Sequence, residues 1–228
     1  MKPITAVLAG VFLAYAADPA VVECPRAQAD FELTANADAP HWRKAPGVKA
    51  DVDPFGKPSP GKFEVRMQWT PRYLYMLFIS PYDDLNLKAD PKTAEETYQL
   101  WSWDVTELFI GADLEQIHRY REYQVSPQGE WVDLDIDRKS MNAEKAWQWN
   151  SGFQVKARID KTRKIWYGEM KIPMASMDTR PAEVGKQYRM NLYRLTGKAP
   201  NRQSTMWTPV MDRSHHTPEK FGRLVLAK

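Results

Sequence analysis

Residues 100–129 read L-W-S-W-D-V-T-E-L-F-I-G-A-D-L-E-Q-I-H-R-Y-R-E-Y-Q-V-S-P-Q-G, and the reading of this stretch decides the fold. Two Trp, an Asp and a Glu crowd the entry of an apolar run, a polar loop follows, and a second run closes on a Pro-Gly turn. The pattern predicts a β-hairpin with an aromatic, acidic mouth. Side chains alternate along a strand, so Val105, Glu107 and Phe109 share one face and Thr106, Leu108 and Ile110 the other. Glu107 therefore stands among apolar neighbours. It is either a structural acid satisfied by nearby donors or an acid aimed at a ligand, since a buried carboxylate needs partners in both cases.

The same alternation recurs on either side. Phe63, Val65, Met67 and Trp69 fall on one face of a strand that turns at Pro71-Arg72 into the apolar run 73–79, a strong hairpin signal. Residues 131–137, 153–159, 165–173, 188–194 and 221–226 read as further strands, the last as an edge, and residues 31–34 as a weak edge strand. The 131–137 run places Asp133, Asp135 and Asp137 on one face, where they must be exposed, paired or bound to a cation. A second strand acid, Glu169, lies within 165–173. A short helical turn is expected at 174–177, a loop or short helix at 82–97, and a long loop at 46–61, where Pro and Gly recur. No stretch carries a long amphipathic helix. Many short strands joined by Pro and Gly turns define an all-β β-sandwich, of jelly-roll or immunoglobulin-like topology.

Composition narrows the function. The 228 residues are 43% hydrophobic and 27% charged, enough for one domain with a sizeable core. The 32 basic and 29 acidic residues give a formal charge of +3 without a like-charge run, so no nucleic-acid partner is indicated. Residues 1–16 have one Lys, an uncharged stretch and Ala14-Tyr15-Ala16, the pattern of a secretory signal, and the run is short for a bilayer span. The protein is therefore expected to be secreted or periplasmic, with no membrane span after signal removal. Residues 17–29 read as a linker or N-terminal strap and residues 30–228 as the folded domain. The lone Cys24 forms neither an internal disulfide nor a metal cluster. There is no phosphate-binding Gly-rich loop and no G-x-S-x-G elbow. His215 and His216 are adjacent and point oppositely on an extended chain, which argues against zinc held by both.

Aromatics are the surplus, at 12% of the chain with nine Trp. Aromatic rings stack on the apolar faces of sugars while polar side chains satisfy the hydroxyls. Trp101, Trp103, Trp147, Trp149 and Trp207 all fall near expected strand ends or loops. A glycosidase would instead need two facing carboxylates.

W-x-W-D-V-T-E-L-F-I at 101–110, E-Y-Q-V-S-P-Q-G at 122–129, W-x-x-E-M-K-I-P at 166–173, R-M-N-L-Y-R at 189–194, M-W-T-P at 206–209 and F-G-R-L at 221–224 occur in an order that resembles the family 9 carbohydrate-binding module. The resemblance runs from about Asp30 to the C-terminus. It implies a β-sandwich that grips the ends of sugar chains between two Trp, with calcium supporting the fold. Trp101 and Glu107 stand where the pattern has a stacking Trp and a sugar-bonding acid, and Asn191 where it has a polar ligand. The second stacking Trp has no counterpart: Arg194 follows Asn191, and Trp207 is the nearest aromatic. The resemblance therefore implies an exported, non-catalytic module binding an oligosaccharide or polysaccharide end at Trp101, Glu107, Asn191, Arg194 and Trp207, possible calcium, and a role in carbohydrate catabolism beside a partner glycosidase. Two alternatives stand beside it: a haem-binding cytochrome-like sandwich with Met and His axial ligands, and a hydrolase using Glu107 and Glu169.

Overall fold

The computed structural model describes residues 19–140 and 143–228. The expected signal segment, residues 1–16, lies outside the described residues. In chain order the elements are β1 (Val21–Cys24), α1 (Pro40–Arg43), β2 (Gly47–Val52), β3 (Pro58–Trp69), β4 (Tyr73–Pro81), a 3-10 turn (Leu100–Ser102), β5 (Val105–Gly111), β6 (Arg119–Val125) and β7 (Trp131–Asp137). There follow α2 (Ala143–Trp147), β8 (Gln154–Asp160), β9 (Ile165–Pro173), α3 (Met174–Met177), β10 (Gln187–Thr196), β11 (Gln203–Met206), a 3-10 turn (Pro218–Lys220) and β12 (Gly222–Leu226).

The strands join in the order β7-β6-β5-β10-β11-β2-β3-β4-β9-β8, with β12 pairing both β10 and β1. This hydrogen-bonded path folds over on itself as a β-sandwich, because the alternating apolar faces of its two halves must be buried against each other. Phe63, Val65, Met67 and Trp69 of β3 and Met76 and Phe78 of β4 meet Leu108 and Ile110 of β5, Tyr123 of β6 and Met190 and Leu192 of β10 in one core. The predicted hairpin of β3 and β4 and that of β5 and β6 are both present, in antiparallel register.

Three local readings change. The Pro- and Gly-rich segment 46–61 contains β2 and the start of β3, because its turn is confined to 53–57, where the Asp53 carboxylate accepts the Phe55 and Lys57 N–H groups at 2.9 Å. Pro58 and Pro60 sit on the exposed face of β3 while Ser59 and Gly61 turn inward. Residues 31–34 form no strand; they pack as an irregular strap over a second apolar cluster of Trp42, Tyr75, Leu77 and Tyr167. The final strand β12 is not an edge, since β1, from the stretch read as a linker or strap, pairs with it in parallel. No helix among the described residues is long and apolar enough to cross a membrane.

Candidate functional site

The outer face of β5, β6 and β10, opposite the main core, carries the chemistry. Glu107 pairs across to Gln124 and Phe109 to Glu122, while Tyr193 pairs with Glu107 from the other side. Paired residues share a face, so Glu107, Glu122, Gln124 and Tyr193 form one polar patch. All four are buried. The Gln124 amide donates from one nitrogen to both Glu107 Oε1, at 2.9 Å, and Glu122 Oε1. Burial, with the Glu107 charge beside it, holds the Glu122 carboxyl well above the usual carboxylate range.

The loop after β11 completes the patch. Glu107 Oε2 has no hydrogen-bond partner and lies 3.8 Å from His215 Nδ1. The His215 ring stacks on Tyr193 at 4.8 Å and 9°, and its Nε2 is 2.7 Å from Ser204 Oγ. His216 Nδ1 is hydrogen-bonded to Tyr120 Oη at 2.6 Å, and burial lowers the His216 pKa to about 4. Above the acids opens a cleft of about 930 Å³, lined by Trp101, Glu107, Glu122, Trp149 and His215 among others.

Trp101 is fixed by its backbone. The Arg202 guanidinium donates to the carbonyls of Trp101, Trp103 (2.7 Å) and Gly197 (2.6 Å), and Asn86 Nδ2 donates to Ser102 O at 3.3 Å. A half-buried cation donating to three carbonyls fixes the 3-10 turn, which pre-organises the ring. Trp149 lies under the Arg121 guanidinium, 4.6 Å from the ring centroid.

Of the residues expected from sequence, the fold brings Trp101 and Glu107 to the cleft and leaves the other three elsewhere. Asn191 is on the same sheet face but fully buried beneath the loop. Its Oδ1 accepts the Leu192 and Thr208 N–H groups, and its Nδ2 donates to Thr208 O and Tyr193 Oη. Arg194 is an odd number of residues along β10, so it projects to the opposite face, donating to Gly61 O and Lys62 O at 3.3 Å. Burial lowers its pKa to about 10. Trp207 packs against the sandwich core beneath β12, its ring 2.5 Å from where a Gly222 Cβ would stand. Cleft-lining residues not assigned from sequence include Glu122, His215 and Trp149, with Gln124 buried behind the acids. Their signal was present as alternation in β6 and as one of five flagged Trp, but strand register sets Glu122 beside Glu107, and loops distant in sequence bring Trp149 and His215 to them.

Glu169 is not part of the cleft. It sits fully buried on β9, accepting the Thr34 N–H (2.6 Å), the Ala35 N–H and the Trp42 Nε1–H (2.6 Å). The Asp row of β7 is paired: Asp135 with Arg121, Asp137 with Arg119, and Asp133 with Ser151. Among the described residues no group of three or more His, Cys, Asp or Glu side chains is placed to hold a metal.

One consequence is measurable as a pH dependence. Glu122 binds its proton more tightly folded than unfolded, so stability falls as pH rises above the unfolded glutamate value of about 4.3. Glu122→Gln keeps the shape and the acceptor for Gln124 but removes the charge. It is expected to raise the melting temperature at pH 7 and to flatten the decline above about pH 4.3, followed by thermal unfolding across pH. An unchanged slope would place the titrating group elsewhere.

No curated protein matches the chain. Among solved structures, a candidate carbohydrate-binding protein from Bacteroides uniformis aligns with a TM-score of 0.71 at 14% identity, covering 92% of this chain and 100% of that one. A family 9 carbohydrate-binding module from Caldicellulosiruptor kristjanssonii in complex with cellotriose aligns at 0.64 and 12% identity, covering 91% and 94%. The glucose complex of a family 9 module from the same organism aligns at 0.64 and 11%, covering 92% and 97%. These likenesses establish the shared sandwich fold. The family model described as "Carbohydrate family 9 binding domain-like" matches residues 35–228, most of the chain, and the chain belongs to that family.

Proposed function

We propose that this protein is an exported, non-catalytic sugar-binding module that takes the end of an oligosaccharide or polysaccharide in the cleft beside Trp101 and serves carbohydrate breakdown alongside a partner glycosidase. The observation that carries the reading is the buried Glu107–Gln124–Glu122 row at the base of a cleft whose rim holds a braced Trp. A ring offers stacking area to a pyranose face, and the two acids, positioned by the Gln124 amide, offer hydrogen-bonding groups to hydroxyls. Family membership and the cellotriose and glucose complexes of structural neighbours support the ligand class. Export rests on the pattern of residues 1–16.

Neither alternative is favoured. Glu107 and Glu169 lie on different faces of different layers, and Glu169 already accepts three N–H donors, so the two do not flank one glycosidic bond. Haem ligation through His215 or His216 would have to take the ring from Ser204 or Tyr120.

Calorimetric titration with cello- and xylo-oligosaccharides tests the proposal. Loss of one stacking ring removes about 1.5–3 kcal/mol of buried apolar contact. Trp101→Ala is therefore expected to weaken binding at least tenfold, while leaving the melting temperature close to that of the parent because the ring is only partly buried. Absence of binding across a broad glycan array would sink the reading.

A further inference from the structure

A second aromatic surface continues outward from the cleft. Tyr98 is 39% exposed, and its ring meets Trp101 edge-on at 5.7 Å and 83° and Trp147 at 5.5 Å and 66°. None of the three is stacked flat on another. Trp101 lines the cleft, and so do Ala146 and Gln148 on either side of Trp147, whereas Tyr98 stands outside the lining. The three rings therefore make a ledge that starts at the cleft wall and leads away from it.

The exposure of Tyr98 is built in. Thr97 is pinned by its N–H to Trp131 O at 2.9 Å, and Leu100 is fully buried. Between them Gln99 adopts φ 59°, a left-handed conformation that side-chain-bearing residues rarely take. Gln99 is the residue that opens the 3-10 turn carrying Trp101, so Tyr98 and Trp101 are held on either side of one fixed backbone corner. Sugar rings are the matching partner, because the ledge is continuous with the cleft and exposed aromatic surface suits the apolar face of a pyranose.

We infer that Tyr98 and Trp147, with Trp101, form an outer subsite for the second and later residues of a glycan whose terminal residue occupies the cleft. The inference rests on the sugar-binding reading above and adds a length preference to it.

Titration of the full chain with glucose, cellobiose, cellotriose, cellotetraose and cellohexaose tests it. Wild-type affinity is expected to rise with length. Tyr98→Ala is expected to lower affinity for cellotetraose and cellohexaose at least fivefold while leaving glucose within twofold of wild type, with Tyr98→Phe keeping the wild-type profile. Trp147→Ala should reproduce the Tyr98→Ala profile. Tyr98 is exposed, so its substitution does not threaten folding. Equal wild-type affinity for all lengths, or a Tyr98→Ala profile identical to wild type, overturns the ledge and leaves the sugar-binding reading standing. Silence of the wild-type protein toward every length removes both.

Discussion

Glu169→Ala is expected to lose about 3–5 kcal/mol of stability, because it strands three donors at once, two of them buried. The carboxylate joins β9 to the N-terminal strap: one oxygen accepts the Thr34 and Ala35 N–H groups and the other the Trp42 indole N–H. Around it Ala35, Trp42, Tyr75, Leu77 and Tyr167 exclude water, so no solvent replaces the lost acceptor. For a chain of this size the loss corresponds to roughly 10–15 °C in melting temperature. Glu169→Gln is also expected to destabilise, because an NH2 group then faces N–H donors, though it retains one acceptor and should fall between wild type and Ala. Sugar affinity measured well below the melting temperature should be unchanged, since the site lies on the other layer. A Glu169→Ala protein melting within 2 °C of wild type would show that the strap is held by packing alone.

Asn191→Ala is expected to lower stability by about 2–4 kcal/mol, and this separates two roles for the residue. As a direct sugar ligand its loss would weaken binding without moving the melting temperature. In the fold it is a fully buried brace that satisfies both the N–H and the carbonyl of Thr208 and donates to Tyr193 Oη. Removing it leaves the Thr208 backbone unpaired in a dry interior, a cost set by desolvation rather than by the bonds themselves. Tyr193 in turn donates to His215 O at 3.0 Å and supports the His215 ring, so the loop that closes the cleft loosens too. The expected signature is a melting temperature lowered by roughly 5–10 °C, with weaker binding as its consequence. Trp101→Ala should show the converse: binding lost and stability kept.

Much of the fold was legible because strands advertise themselves by alternation. The β3–β4 and β5–β6 hairpins, the Met174–Met177 turn and the placing of Glu169 on a strand all follow from residue order. The segment 46–61 misled because prolines suit the exposed face of a strand start as well as a loop. Residues 31–34 alternate weakly, yet their backbone donors go to Glu169 and Tyr75 instead of a neighbouring strand.

The lining of the candidate cleft was half legible, for the same reason. By itself the sequence determined the all-β class, the family motifs, and the placing of Trp101 and Glu107 at one hairpin mouth, because these depend on local spacing. Period two already separates Asn191 from Arg194 on β10, three residues apart and hence on opposite faces. Only the tertiary structure decided which of those faces is the open one, and that Asn191 is sealed under the His215 loop. It also decided that Glu122 and Gln124 line up with Glu107, through a register between β5 and β6 fixed by the length of the intervening loop. Trp149 and His215 reach the same cleft from chain segments distant in sequence. Such meetings are set by strand pairing and by the folding of the sheet onto itself, which couple residues far apart in the chain, and local periodicity carries no record of them.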